Sequence, residues 1–91
     1  MALNLRHQTK VQYLRRLRDR YRDASRMEAC RLANKILAHL SDGDVTMVQM
    51  QNAWGMTAAE WAAKAAQLKT KANKWTSYKA AESTANNEAG D

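Results

Sequence analysis

The sequence predicts an all-α protein, a compact bundle of three or four helices. Its 91 residues contain no proline and three glycines. β-Branched valine and isoleucine, which strands favour, number only four together, whereas the helix formers alanine, leucine, lysine and arginine are abundant. Apolar residues recur with the helical period. A chain of this length forms one domain, which we assign to residues 1–82. Residues 83–91 are polar without periodicity and are expected to form a flexible acidic tail.

The first predicted helix covers residues 10–22. Its apolar positions repeat every three or four residues and predict a core-facing side, made of Tyr13, Leu14, Leu17, Tyr21 and Ala24. Arginines occupy the opposite side, at Arg15, Arg18 and Arg22, with Arg26 joining them if the helix continues. Asp19 is spaced to pair with Arg15 and Arg22. The arginines form either a solvated outer face or a contact surface, and the sequence gives both equal weight.

The second predicted helix follows a start signal and ends at residue 40. Ser25 and Glu28 have capping-box spacing, which predicts a break near residues 23–25, although one continuous helix is the alternative. The inward side is expected to hold Met27, Cys30, Ala33, Leu37 and Leu40, widened by Leu32 and Ile36. The outward side is expected to hold Arg31, Lys35 and His39. Gly43 is suited to a left-handed turn after this helix.

Two further capping boxes predict the remaining helices. Thr46 and Gln49 open a short helix over residues 47–54, and Gly55 ends it. Thr57 and Glu60 open the longest helix, from residue 58 to about residue 81. A heptad-like seam runs along it, through Trp61, Ala65, Leu68, Ala72 and Trp75. We expect both seam tryptophans to be largely buried.

The helix–Gly–Thr–helix segment is similar in spacing to a helix-turn-helix, in which a short helix braces a second one for the major groove of DNA. The last helix then offers one flank as a candidate reading face, made of Lys64, Gln67, Lys71, Lys74 and Tyr78. Two residues oppose this interpretation, because Gln51 stands where close packing favours alanine and Lys64 stands where the motif is apolar. The alternative is a helical hairpin whose lysines keep it soluble.

Positive charge is concentrated in two separate helices. The net charge is +6. Residues 1–22 hold seven cations against one acid, and residues 61–79 hold five lysines and no acid. Residues 41–60 and 80–91 each hold three acids and no cation. This pattern suits contact with a polyanion. It also suits two mutually repelling helices that are shielded by the acidic connector between them.

Nothing in the sequence indicates catalysis. A glycine-rich phosphate loop, a metal-ligand cluster and paired carboxylates are all missing from the sequence. His7 and His39 have no carboxylate or nucleophile at a pairing distance in sequence, and Cys30 is expected to be an inert core residue. We therefore expect no enzyme activity, metal or cofactor. A membrane-surface role for the first helix is weaker than core packing. No apolar run is long enough for a membrane span, and no export signal is visible.

Three segments carry a resemblance to a known class of proteins: the run from Leu14 through Arg22, then Gly43-Asp44-Val45-Thr46, then Gly55 through Trp61. In these segments the chain resembles small helical proteins encoded by tailed bacteriophages. The resemblance implies a structural or virion-assembly protein that docks in multiple copies with other phage proteins, in the host cytoplasm or the virion. Two alternatives stay open, a helix-turn-helix DNA-binding protein (regulator or packaging factor) and a small phage inhibitor of a host protein.

Overall fold

The computed structural model describes the backbone of residues 7–90 and the side chains of residues 9–81. It contains four helices and, within the described residues, no strand: α1 (His7–Asp23), α2 (Arg26–Ser41), α3 (Met47–Trp54) and α4 (Ala58–Gly90). The all-α prediction is confirmed, and so is the break that separates the first two helices.

The helix boundaries follow the predicted capping residues. Thr46 and Gln49 form a complete capping box, with each side chain accepting from the other's backbone N–H. Thr57 and Glu60 do the same at the start of α4. Ser25 accepts a long bond from the Glu28 backbone, 3.5 Å, and caps α2. The predicted Ser25–Glu28 box is only half-formed, because the Glu28 carboxylate binds Arg31 instead of the Ser25 N–H. Each box satisfies backbone donors that the first helical turn leaves free.

Glycines in left-handed conformation end α2 and α3. Gly43 has φ +77° and Gly55 has φ +62°. After each helix the backbone closes back on the last turn, as in the bonds from Asp44 to the His39 carbonyl and from Met56 to the Gln51 carbonyl. This is the Schellman arrangement. Its left-handed residue favours glycine, because residues with a Cβ adopt that conformation only with strain.

The last helix is longer than predicted. α4 continues to Gly90. The sequence predicts that the helix ends near residue 81, with residues 83–91 as a flexible tail. Loss of apolar periodicity predicts loss of burial, not loss of helix, and no proline or glycine lies between Gly55 and Gly90. Residues 76–81 are all exposed, so the helix passes beyond the bundle.

The core lies where α2 packs between α4 and α1, with α3 packed on α1. Contacts at both ends of α1 show that α1 and α3 run in the same direction, because Lys10 reaches Asp44 and Arg18 reaches Ala53. The most deeply buried large side chains come from all four helices: Leu14, Leu17, Leu32, Ile36, Met50 and Leu68. Trp61 is buried as predicted, but Trp75 is only half-buried, since it sits where α4 leaves the bundle.

Two predicted orientations on α2 are wrong. Met27, expected inside, is 56% exposed, and His39, expected outside, is mostly buried. The buried side of α2 is centred on Leu32 and Ile36. At 100° per residue, Met27 lies about 140° from Leu32 around the helix, while His39 lies only about 20° from it. The residues predicted to face inward are centred near Leu37, about 140° from Leu32 around the helix.

Candidate functional site: a basic–aromatic surface

Three aromatic rings meet where α1, α3 and α4 come together. The Tyr21 ring stands edge-on to the Trp54 ring, with centroids 5.9 Å apart. The Trp54 ring in turn packs against Trp61, with centroids 5.8 Å apart. Edge-to-face and tilted packing of this kind is the arrangement that aromatic quadrupoles favour. Trp61 is buried, whereas Tyr21 and Trp54 are half-buried and reach the surface.

Two lysines of α4 lie over these rings. The Lys64 ammonium is 5.9 Å from the Trp54 ring centroid, and the Lys71 ammonium is 4.9 Å from the Tyr21 centroid. A cation over an aromatic face is attracted by the ring quadrupole. Lys64 also donates to the Gln67 side chain. Both lysines therefore have defined positions at the surface and remain partly exposed.

Arg18 joins the same surface from α1. Its Nη1 donates to the backbone carbonyl oxygen of Ala53 over 2.7 Å, at the carboxyl end of α3. A cation is favourable there because the last carbonyls of a helix lack partners and carry partial negative charge. Arg18 is predicted on the side of α1 opposite the core, but its side chain turns back onto α3 and is only 24% exposed. We call Arg18, Tyr21, Trp54, Lys64 and Lys71 the basic–aromatic surface.

The other predicted contact residues flank this surface. Arg15 and Arg22 are exposed on α1, and the Arg22 guanidinium lies 3.9 Å from the Asp19 carboxylate, the pairing predicted for it. Asp19 also pairs with Arg18 rather than with Arg15. On α4, Gln67, Lys74 and Tyr78 are exposed on the flank that carries Lys64 and Lys71. The structure thus brings the two predicted basic surfaces together.

Two other cations, one on α1 and one on α2, pair with Glu28 instead. Arg31 donates to the Glu28 carboxylate from Nε over 2.9 Å, and Arg20 lies 3.5 Å from it. The hydrogen bonds from Arg31, aided by the charge of Arg20, hold the pKa of the Glu28 carboxyl below its usual value. The pair is partly exposed to solvent, so it contributes little to stability.

The helix–Gly–Thr–helix turn forms as predicted, and the first exposed residues of the helix that follows it are mainly alanines. In a helix-turn-helix the first residues of the second helix contact base edges. The exposed residues at the start of α4 are mainly alanines, at Ala58, Ala59, Ala62, Ala63 and Ala66, together with Glu60. Alanine has no hydrogen-bonding side-chain group with which to distinguish bases. This observation disfavours groove reading by α4.

A second polar cluster lies at the other end of α1. The Tyr13 hydroxyl is 3.1 Å from His39 Nε2, and His39 Nδ1 is 3.3 Å from Asp44 Oδ2. Lys10 donates to the Asp44 backbone carbonyl over 2.6 Å. Spacing along the sequence predicts no carboxylate partner for His39, which is wrong, because the glycine turn after α2 folds Asp44 back onto it. The cluster ties α1 to the connection between α2 and α3. The His7 side chain lies outside the described residues.

The part of the chain that the structure describes contains no metal-ligand cluster and no membrane-spanning helix. No three His, Cys, Asp or Glu side chains there lie close enough to hold a metal ion. No described helix is apolar enough over sufficient length to cross a membrane. Cys30 is a free thiol with a side chain buried among core residues.

Comparisons of the chain with protein-family models, curated proteins and solved structures find no match. The resemblance to tailed-bacteriophage proteins therefore stays a prediction, and the functional argument depends on the surface itself.

Proposed function

We propose that this chain is a non-enzymatic binding module that docks onto a larger assembly through its basic–aromatic surface, and that the partner surface is anionic. One observation carries the proposal: cations from two helices that are distant in sequence gather around the same Tyr21–Trp54 pair. Arginine, tyrosine and tryptophan are also the residues that contribute most to binding energy in protein interfaces.

The fixed positions of the cations support binding. Lysine side chains lose rotamer entropy when a partner immobilises them. Lys64 and Lys71 are already positioned against aromatic rings, so part of that cost is met on folding. The resemblance to tailed-phage proteins supports an assembly of that kind, in which several copies dock with other phage proteins.

The test measures binding of the intact protein to poly-L-glutamate, with poly-L-lysine as the oppositely charged control. Lys71→Glu reverses a charge inside the surface. Lys69→Glu makes the same change two residues earlier, on the other flank of α4, where Lys69 is exposed. We expect Lys71→Glu to weaken poly-L-glutamate binding about tenfold, through like-charge repulsion, and Lys69→Glu to weaken it much less.

Equal reductions in affinity for the two variants would mean that only net charge matters, and the proposal would then be wrong. Circular dichroism and melting of both variants control for folding. Absence of binding to any anionic polymer would also contradict the proposal.

A further inference from the structure

We infer that the anionic partner of the basic–aromatic surface is the phosphate backbone of duplex DNA, bound without reading the bases. This inference rests on the proposed function and names its partner. Three features favour duplex DNA over other anionic partners. They are the arrangement of the cations in two rows, the cations over the aromatic rings, and the side of α4 that exposes Ala58, Ala59, Ala62, Ala63 and Ala66, here called the alanine side.

The cations form two rows that meet at the aromatic pair. On α1 the row contains Arg15, Arg18 and Arg22, which span seven residues or about 10 Å of helix. On α4 the row contains Lys64, Lys71 and Lys74, which span about 15 Å. Duplex DNA presents one negative charge per about 1.7 Å of its axis. A regularly charged polymer of this kind offers successive phosphates to the cations along a row.

Acidic groups neutralise these rows only in part. Of the described acids, Asp19 lies beside the α1 row, within 3.0 Å of Arg18 and 3.9 Å of Arg22. No ion pair connects any described acid to the three lysines of the α4 row or to Arg15. The rows therefore keep a large positive excess. Such a surface gives strong but salt-dependent attraction to phosphates.

The aromatic rings disfavour a single-stranded partner. Proteins that bind single strands stack successive bases on open aromatic faces. Here Tyr21 and Trp54 pack against each other, and a lysine ammonium lies over each ring. One face of each of these two rings is therefore covered by a cation, which leaves less ring surface for stacking with a base.

The alanine side of α4 disfavours base reading in the duplex. The exposed residues on that side, Ala58, Ala59, Ala62, Ala63 and Ala66, carry no side chain that could form hydrogen bonds with base edges. The cations on the neighbouring flank supply phosphate contacts, which orient a protein on DNA but do not identify a sequence.

The test is fluorescence anisotropy with the intact protein and four labelled probes: two unrelated duplexes of about 20 base pairs, one single strand of the same length, and poly-L-glutamate. Each titration is repeated at several salt concentrations. We expect the two duplexes to bind within about threefold of each other, since phosphate contacts carry no sequence information. We expect the single strand and poly-L-glutamate to bind more weakly than the duplexes.

Charge-neutral variants identify the residues that touch phosphates. Replacing a lysine or arginine that binds one phosphate should reduce the slope of log K against log salt by about 0.9. We expect this for Lys74→Gln and for Arg22→Gln, and no change for Lys69→Gln. Lys74 and Arg22 are exposed, with Arg22 at 68%, so their replacement leaves the core intact. Lys71→Gln provides a further variant inside the surface, with melting temperature as its folding control.

The outcomes separate the inference from the proposed function. Tighter binding to the single strand, or to poly-L-glutamate, overturns the inference while the anionic-partner proposal stands. A preference of about a thousandfold for one duplex sequence indicates base reading and also overturns the inference. Failure to bind all four probes overturns both.

Discussion

Replacing Trp61 with alanine tests the packing that positions the basic–aromatic surface. The Trp61 side chain is 2% exposed and touches the ring of Trp54, whose other side packs on Tyr21. Truncating a buried tryptophan costs about 3–5 kcal/mol of unfolding free energy, because apolar burial is removed and a cavity remains. A domain of this size has roughly 5–14 kcal/mol in total, so the variant should lose a large part of its stability.

Two matched variants show whether the loss of unfolding free energy comes from the burial of Trp61 or from the loss of a tryptophan as such. Trp75 lies in the same seam of α4 but is half-buried, so Trp75→Ala should cost clearly less than Trp61→Ala. The Trp61 Nε1 proton is buried without an acceptor among the described residues. An unsatisfied buried donor costs about 1–3 kcal/mol. Trp61→Phe removes that donor and keeps a ring, so it should change stability by only about 1 kcal/mol.

Urea denaturation and thermal melting measure these differences. One kcal/mol shifts the melting temperature of a small domain by about 4–8 °C, so Trp61→Ala should lower it by roughly 12 °C or more. A shift of only a few degrees would show that the seam is exposed. Equal shifts for Trp61→Ala and Trp75→Ala would contradict the burial difference between the two ends of α4.

Three further changes test the helix boundaries. Gly55→Ala should cost about 1 kcal/mol in urea denaturation, because alanine is strained at φ +62°, although its Cβ meets no atom within 4 Å. Glu60 accepts from the Thr57 backbone N–H, which lowers the pKa of the Glu60 carboxyl below 4.5. The ionised Glu60 carboxylate should therefore stabilise the folded protein above about pH 4.5, and this stabilisation should be lost as the pH falls further. Glu60→Gln should remove that part of the pH dependence of the melting temperature. Deleting residues 83–91 should leave the melting temperature unchanged, because the described residues just before them, 76–81, are already exposed. A lower melting temperature in the truncated chain would show that these residues pack on the bundle.

The helix starts could be predicted from the sequence because their causes are local. A capping box requires only two residues three positions apart, and the Thr46–Gln49 and Thr57–Glu60 boxes form as predicted. The same holds for the turn at Gly55, where a left-handed residue is needed at one position. Apolar spacing likewise identified Trp61 and Leu68 as core residues.

The surface could not be predicted because it depends on how the helices cross. The sequence indicated an arginine row on α1 and a lysine row on α4, but not that Tyr21 and Trp54 connect them. The hydrogen bond between Arg18 and the Ala53 carbonyl joins positions 35 residues apart. The same limit explains His39, whose partner Asp44 is brought back by the turn at Gly43 and whose partner Tyr13 lies on another helix.

The structure also changes the explanation for how two basic helices tolerate each other. The sequence suggested that the acidic connector shields them, but Asp44 of that connector lies beside Lys10 and His39, at the opposite end of α1 from Tyr21. Between the two rows stand aromatic rings, whose negatively charged faces receive Lys64 and Lys71. A quadrupole attracts nearby cations but cancels none of their charge. The surface therefore stays positive at long range, as attraction of an anionic partner requires.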